Sequence, residues 1–193
     1  VVHDPSHGYD DAADAFIRMR SETGAALIRK WAAGLPKGAS VLDVGAGHGW
    51  PVTAALLSCG LDVFAVEASP RMVRALEARL PKDRMACEDA LVSPFFSRRF
   101  DGITAIGLVF LLEPEAQEKL LIRLAKALTP GGQLLFTAPW QSHRWTDVIT
   151  GQPSVSLGAD AYQRILRAGG LSGIARLEDE GGNCHFQATR PSA

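Results

Sequence analysis

The chain predicts a doubly wound α/β domain, a mostly parallel sheet layered between helices. Three observations carry this expectation. Short apolar runs alternate with amphipathic helical segments from residue 38 to about residue 138. The first run, Val41-Leu42-Asp43-Val44, breaks into a turn with glycine at every second position, Gly45, Gly47 and Gly49. The tail then abandons the rhythm. Residues 171–178 and 183–190 read as strands joined by Asp179-Glu180-Gly181-Gly182, a hairpin that adds an antiparallel strand.

Residues 11–33 read as one or two helices, with Phe16, Ile17, Leu27, Ile28 and Trp31 as their apolar positions. Leu35-Pro36-Lys37-Gly38 links them to a strand at 40–44. A helix enters at Trp50-Pro51, since Pro51 suits a first turn where its missing N–H would have lacked a partner anyway. Val52, Ala55, Leu56 and Cys59 then share one buried face. The compact apolar run 61–66 is a strand that delivers Glu67 at its carboxyl end. Ser69 before Pro70 caps the next helix, with Met72, Val73, Leu76 and Leu80 inward. Strands follow near 84–87, at 101–107 and at 133–138, with a long helix at 114–128. Residues 139–158 read as irregular and 159–168 as a helix. The parts form a single domain: N-terminal covering helices over 1–37, a core over 38–138, a loop over 139–158, and a helix with β-hairpin over 159–193.

Composition narrows the partners. An apolar share of 47% is ordinary for a globular protein. A net charge of −1 without a lysine/arginine tract leaves no electrostatic footprint for nucleic acid. No run of eighteen apolar residues offers a membrane span. The opening Val-Val-His-Asp-Pro-Ser-His has no signal-peptide pattern. Cys59, Cys87 and Cys184 are odd in number and widely spaced, as expected of buried thiols in a reducing compartment. A cytoplasmic monomer or homodimer, binding neither nucleic acid nor membrane, is the expectation.

The glycine turn is the centre of the functional reading. Residues without a Cβ permit positive φ and a close backbone approach to a ligand. The helix behind the turn aims unpaired N–H groups and its positive end at an anionic group. Taken alone, the turn also suits a tight β-to-α connection with no ligand. Glu67, eighteen positions past Gly49, shifts the balance, because a carboxylate there accepts hydrogen bonds from ribose hydroxyls. A dinucleotide fingerprint would need its third glycine at position 50, where Trp50 stands. No Gly-Lys-Ser/Thr follows to make a P-loop.

Leu42-Asp43-Val44-Gly45-Ala46-Gly47-His48-Gly49 resembles the first motif of the class I S-adenosylmethionine-dependent methyltransferases. Glu67 stands where that family's second strand ends in a ribose-binding acid. Ala68-Ser69-Pro70-Arg71-Met72 is similar to its D-x-S-x-x-M stretch, and Cys87-Glu88-Asp89-Ala90 to the segment after its third strand. Phe100-Asp101 and Leu128-Thr129-Pro130-Gly131-Gly132 also fit, so the resemblance covers roughly residues 38–138. It implies a Rossmann-like three-layer sandwich whose seven-stranded sheet is parallel except for an inserted, antiparallel last strand. It also implies S-adenosylmethionine as cofactor and S-adenosylhomocysteine as product. The implied cofactor contacts are Asp43, Gly45, Ala46, Gly47, Glu67, Ala68 and Gly107, with Met72 near the adenine. Asp89 would meet the adenine amino group, and Ala90 would offer its backbone N–H.

A sulfonium methyl is already activated, so in-line transfer to a small molecule requires alignment and exclusion of water rather than a catalytic triad. His3, His7, His48, His143 and His185 lack metal-ligand spacing, and no metal is expected. Ile106-Gly107-Leu108-Val109-Phe110 carries no acidic ligands of the metal-dependent catechol-type branch. The same stretch holds neither the Asn/Asp-Pro-Pro-aromatic nor the Pro-Cys signature of DNA methyltransferases, and its apolar residues suit a small, partly apolar acceptor. Tyr9, Phe110, Trp140 and Trp145 are the candidate acceptor contacts, His143 the candidate general base, and Arg20 a candidate partner for the methionine carboxylate. Plain packing for the aromatic residues and a solvated surface for His143 are the competing readings. A nicotinamide-dependent oxidoreductase and a non-catalytic cofactor sensor or scaffold are the competing functions.

Overall fold

A computed structural model of the chain describes residues 4–192. Val1, Val2, His3 and Ala193 lie outside the described residues, and with them the leader expectation at the first three positions and any role of His3. The helices are α1 (Ala13–Met19), α2 (Ala25–Ala32), α3 (Val52–Ser58), α4 (Pro70–Leu76), α5 (Pro114–Ala127) and α6 (Ala159–Ala168). The strands are β1 (Ser40–Val44), β2 (Asp62–Glu67), β3 (Met85–Cys87), β4 (Phe100–Ala105) and β5 (Leu128–Thr137). They continue with β6 (His143–Thr146), β7 (Pro153–Ser156), β8 (Ser172–Glu178) and β9 (Cys184–Thr189).

Seven strands form one sheet in the order β3-β2-β1-β4-β5-β9-β8. The first five pair in parallel, and β9 runs antiparallel to both β5 and β8. The chain winds outward from β1 in both directions, so the strand order reverses between β1 and β4. In open α/β sheets the crevice at the carboxyl ends beside such a reversal is where ligands bind.

Both sheet faces are apolar, as a doubly wound sheet requires. On one face Val41, Val63 and Leu135 pack with Ile28 and Trp31 of α2, Leu56 of α3 and Leu76 of α4. On the other, Leu42, Phe64, Ile103 and Phe136 pack with Leu120, Leu121 and Leu124 of α5 and Tyr162 of α6. Ser69 caps α4 by accepting from the Met72 N–H at 3.1 Å, with Pro70 in the first turn. No helix among the described residues is long and apolar enough to cross a membrane.

Four local expectations are corrected. α3 starts at Val52, with Pro51 as its N-cap rather than its first residue. β5 reaches back to Leu128, because Leu128 pairs with Phe100 and the Gly131 N–H donates to the Arg190 carbonyl at 2.9 Å. Residues 139–158 are not irregular throughout: β6 and β7 pair antiparallel from His143/Ser156 to Thr146/Pro153. The Asp147 side chain closes that hairpin by accepting the N–H groups of Ile149 and Thr150 at 3.0 and 2.8 Å. Cys87 is exposed rather than buried, because β3 is an edge strand.

Candidate functional site

The site is built from the two turns that follow β1 and β2. Gly45 and Gly47 adopt φ of +69° and +58°, a region L side chains rarely enter. A Cβ on Gly45 would come within 3.1 Å of the Leu108 side chain. The Gly45 N–H donates to the Val66 carbonyl at 2.8 Å, stitching the first turn to β2. Glu67 then joins both turns. One of its oxygens accepts the Gly47 N–H at 2.7 Å and the other the Ser69 N–H at 2.8 Å. Burial pushes the Glu67 carboxyl up, and nearby Asp10 adds to this, against the lowering effect of the backbone N–H donors.

Asp43 is buried behind the turn. Its oxygens accept the hydroxyls of Thr53 at 2.6 Å and Thr104 at 2.9 Å, bracing α3 and β4 against β1. Burial drives its pKa up to about 6, opposed by those two hydroxyls.

A cavity of ≈ 290 Å³ opens over these groups. Asp43, Gly45, Ala46, Gly47, Glu67, Ala68, Met72, Asp89, Ala90 and Gly107 all line it, as do Tyr9 and Phe110. A strap over residues 4–24 closes one side. Its Asp10 accepts the Ser69 hydroxyl at 2.6 Å and the Arg71 N–H at 2.9 Å, and the Gly24 N–H donates to Glu180 at 2.9 Å. The Tyr9 hydroxyl donates to Asp147 at 3.1 Å, and burial together with that carboxylate raises its pKa. Arg20 lines the same cavity, and among the described residues no hydrogen bond engages its guanidinium, which lies 6.0 Å from the Phe16 ring. Burial lowers its pKa while Asp179 and Tyr9 oppose the shift.

Three candidates lie elsewhere. His143 is exposed, its Nδ1 3.3 Å from the Gln141 carbonyl and its ring against Trp145. Trp145 packs on Phe110 at 5.3 Å from outside the cavity. Trp140 stacks on Phe186 at 5.3 Å with the Arg176 guanidinium over it, a packing position against the core.

The structure also brings in residues that the sequence reading did not assign to the site: Thr137, Asp179, Asn183 and His185 line the cavity. The pairing of β5 with β9 sets His185 opposite Thr137, at the carboxyl end of β5. Its Nδ1 lies 3.2 Å from the Thr137 hydroxyl and its Nε2 3.1 Å from Asp179 Oδ2. The available signal was a histidine between Cys184 and Phe186, a polar residue among strand residues that face the interior. Among the described residues no group of three or more His, Cys, Asp or Glu is placed to hold a metal ion.

A family model described as a methyltransferase domain matches residues 41–132. The demethylmenaquinone methyltransferase of Renibacterium salmoninarum is 31% identical over 134 residues, 66% of this chain and 55% of that protein. The chain thus spans a little over half the length of such relatives. The 1,6-didemethyltoxoflavin-N1-methyltransferase of Burkholderia thailandensis was solved with its namesake ligand and S-adenosylhomocysteine. It superposes with a TM-score of 0.71 at 21% identity, covering 96% of this chain and 84% of that one. The sugar N-methyltransferase KedS8 from Streptoalloteichus gives 0.72 at 21% identity, covering 93% and 92%.

Proposed function

We propose that the chain is a class I S-adenosylmethionine-dependent methyltransferase and that it transfers a methyl group from S-adenosylmethionine to a small-molecule acceptor by in-line displacement. One observation carries the reading. The Glu67 carboxylate is clamped between the Gly47 and Ser69 N–H groups in the cavity wall, with acceptor capacity left for ribose hydroxyls. The other lining groups fit the same ligand. Met72, 1% exposed, backs the adenine position, where Asp89 takes the amino group and Ala90 offers its N–H. Gly45, Ala46, Gly47, Ala68 and Gly107 allow backbone approach along the rest of the cofactor, with Asp43 bracing the turn from behind. Arg20 supplies the cation for the methionine carboxylate. The bound cofactor contributes a methyl on positively charged sulfur; the protein aligns the acceptor and keeps water out.

A small acceptor is favoured because the strap covers the cavity and Leu108, Phe110 and Leu111 give it one apolar wall. Tyr9 is a second contact; Trp145 acts on the acceptor only through Phe110. A thermal-shift series with S-adenosylmethionine, S-adenosylhomocysteine, NAD and NADP tests the reading. At about 100 Kd, a ligand specific to the folded state adds about 2.7 kcal/mol, or roughly 5–10 °C for a domain of this size. A rise with the adenosyl sulfur compounds alone is expected. A rise with NAD or NADP alone would replace the proposal with the oxidoreductase reading.

A further inference from the structure

We infer that His185 is the general base on the acceptor side, that Asp179 positions it, and that the acceptor therefore presents a weakly acidic hydroxyl. The inference rests on the methyltransferase reading above. His185 is 1% exposed and stands among the residues that line the cavity, so it is shielded from bulk water at the cavity wall. Its tautomer is set by Asp179. That carboxylate accepts the Gly181 and Asn183 N–H groups at 2.9 Å each and the Asn183 side-chain amide at 3.0 Å, besides contacting His185 Nε2 at 3.1 Å. Burial raises the Asp179 carboxyl, but these donors outweigh it and hold the group below its ordinary value. An ionised Asp179 only accepts, so Nε2 carries the hydrogen and Nδ1 the lone pair.

Nδ1 faces Thr137 Oγ1 at 3.2 Å, a hydroxyl on the cavity wall that must rotate aside for an acceptor hydroxyl to reach the lone pair. Arg20, which interacts with Asp179, and Tyr9, whose hydroxyl is turned to Asp147, line the same cavity, as do His7, Asp43, Glu67, Glu88 and Asp89. This geometry is what His143 lacks, being exposed and outside the cavity. In the step, the acceptor O–H bond breaks and its proton goes to Nδ1. The oxygen pair forms the O–CH3 bond as the S–CH3 bond breaks, and that bonding pair stays on sulfur as a neutral thioether. The imidazolium rests against the Asp179 carboxylate until its proton leaves to solvent. A hydroxyl is a poor nucleophile before it loses its proton, so this acceptor class gains most from a base.

The test uses the full chain saturated with S-adenosylhomocysteine and 4-nitrophenol as an acceptor probe, whose phenolate absorbs visible light. Below the probe's own pKa, the bound phenolate fraction is expected to exceed the free fraction about tenfold, one pKa unit. His185→Gln should abolish that enhancement while calorimetry shows unchanged affinity for S-adenosylhomocysteine. Asp179→Asn should reduce it with His185 still present. Nitrogen NMR of the wild-type imidazole needs no variant, and Nδ1 is expected to gain a proton when the probe binds. No binding of the probe, an equal enhancement in His185→Gln, or an imidazole unmoved by the probe would overturn the assignment. Failure of the wild type to bind S-adenosylhomocysteine would instead overturn the parent reading, and this one with it.

Discussion

Replacing Glu67 with glutamine probes the cofactor grip with little change of shape. The carboxylate accepts the Gly47 N–H at 2.7 Å on one oxygen and the Ser69 N–H at 2.8 Å on the other. Glutamine offers one carbonyl oxygen, so its amide must face one of those N–H groups donor to donor. That turn loses a partner, and one ribose hydroxyl loses a charged acceptor. A hydrogen bond to a charged group contributes about 1.5–3 kcal/mol, so Glu67→Gln should weaken S-adenosylhomocysteine binding roughly 10- to 100-fold. Glu67→Ala removes both acceptors, and its loss should reach about 10²- to 10⁴-fold. Burial already disfavours the charged form, so removing the charge offsets part of the lost bonding and the Tm should stay near wild type. The raised carboxyl pKa also sets a pH sign. Affinity should fail on acidification at a higher pH than an ordinary glutamate would dictate. Isothermal titration with S-adenosylhomocysteine reads the three effects on affinity, and thermal unfolding reads the Tm. Folded variants that bind as tightly as wild type would refute the role given to Glu67.

Arg20→Gln should weaken S-adenosylhomocysteine about tenfold or more while leaving free adenosine, which has no carboxylate, unaffected. Equal losses for both ligands in calorimetry would move Arg20 away from the carboxylate. Asp43 has a folded pKa of about 6 against an ordinary 3.8, so the folded state holds its proton longer than the unfolded chain. Its contribution therefore favours low pH and is lost as pH rises from about 4 through about 6, on the order of 3 kcal/mol. Asp43→Asn should flatten the Tm profile across that interval, and an unchanged slope would contradict the assignment. Gly45→Ala forces a side chain to φ +69° with its Cβ 3.1 Å from Leu108. Left-handed backbone costs about 1–2 kcal/mol, so the Tm should fall roughly 2–8 °C, and an unmoved Tm would deny the strain.

Most of the sheet is legible in the sequence because strands covered on both faces read as unbroken apolar runs, such as Val63-Phe64-Ala65-Val66. The grip around Glu67 is legible for a related reason. Its parts lie in two adjacent turns, and the glycine spacing is local. The β6–β7 hairpin is not, since Pro153, the serines and His143 give no apolar alternation and the Asp147 side chain closes the turn. His185 is the instructive case. Asp179 lies six residues away and reaches His185 within the β8–β9 hairpin, but Thr137 is 48 residues distant and meets it only through the register of β5 with β9. A histidine in the 139–158 stretch attracts the assignment by its context, whereas the one packed into a strand reaches the cavity.

A crystal structure with S-adenosylhomocysteine tests the central claim most directly. The expected result has the ribose hydroxyls on the Glu67 carboxylate and the adenine amino group at Asp89. A ribose remote from Glu67, or a cavity filled by the protein's own side chains at saturating ligand, would contradict it.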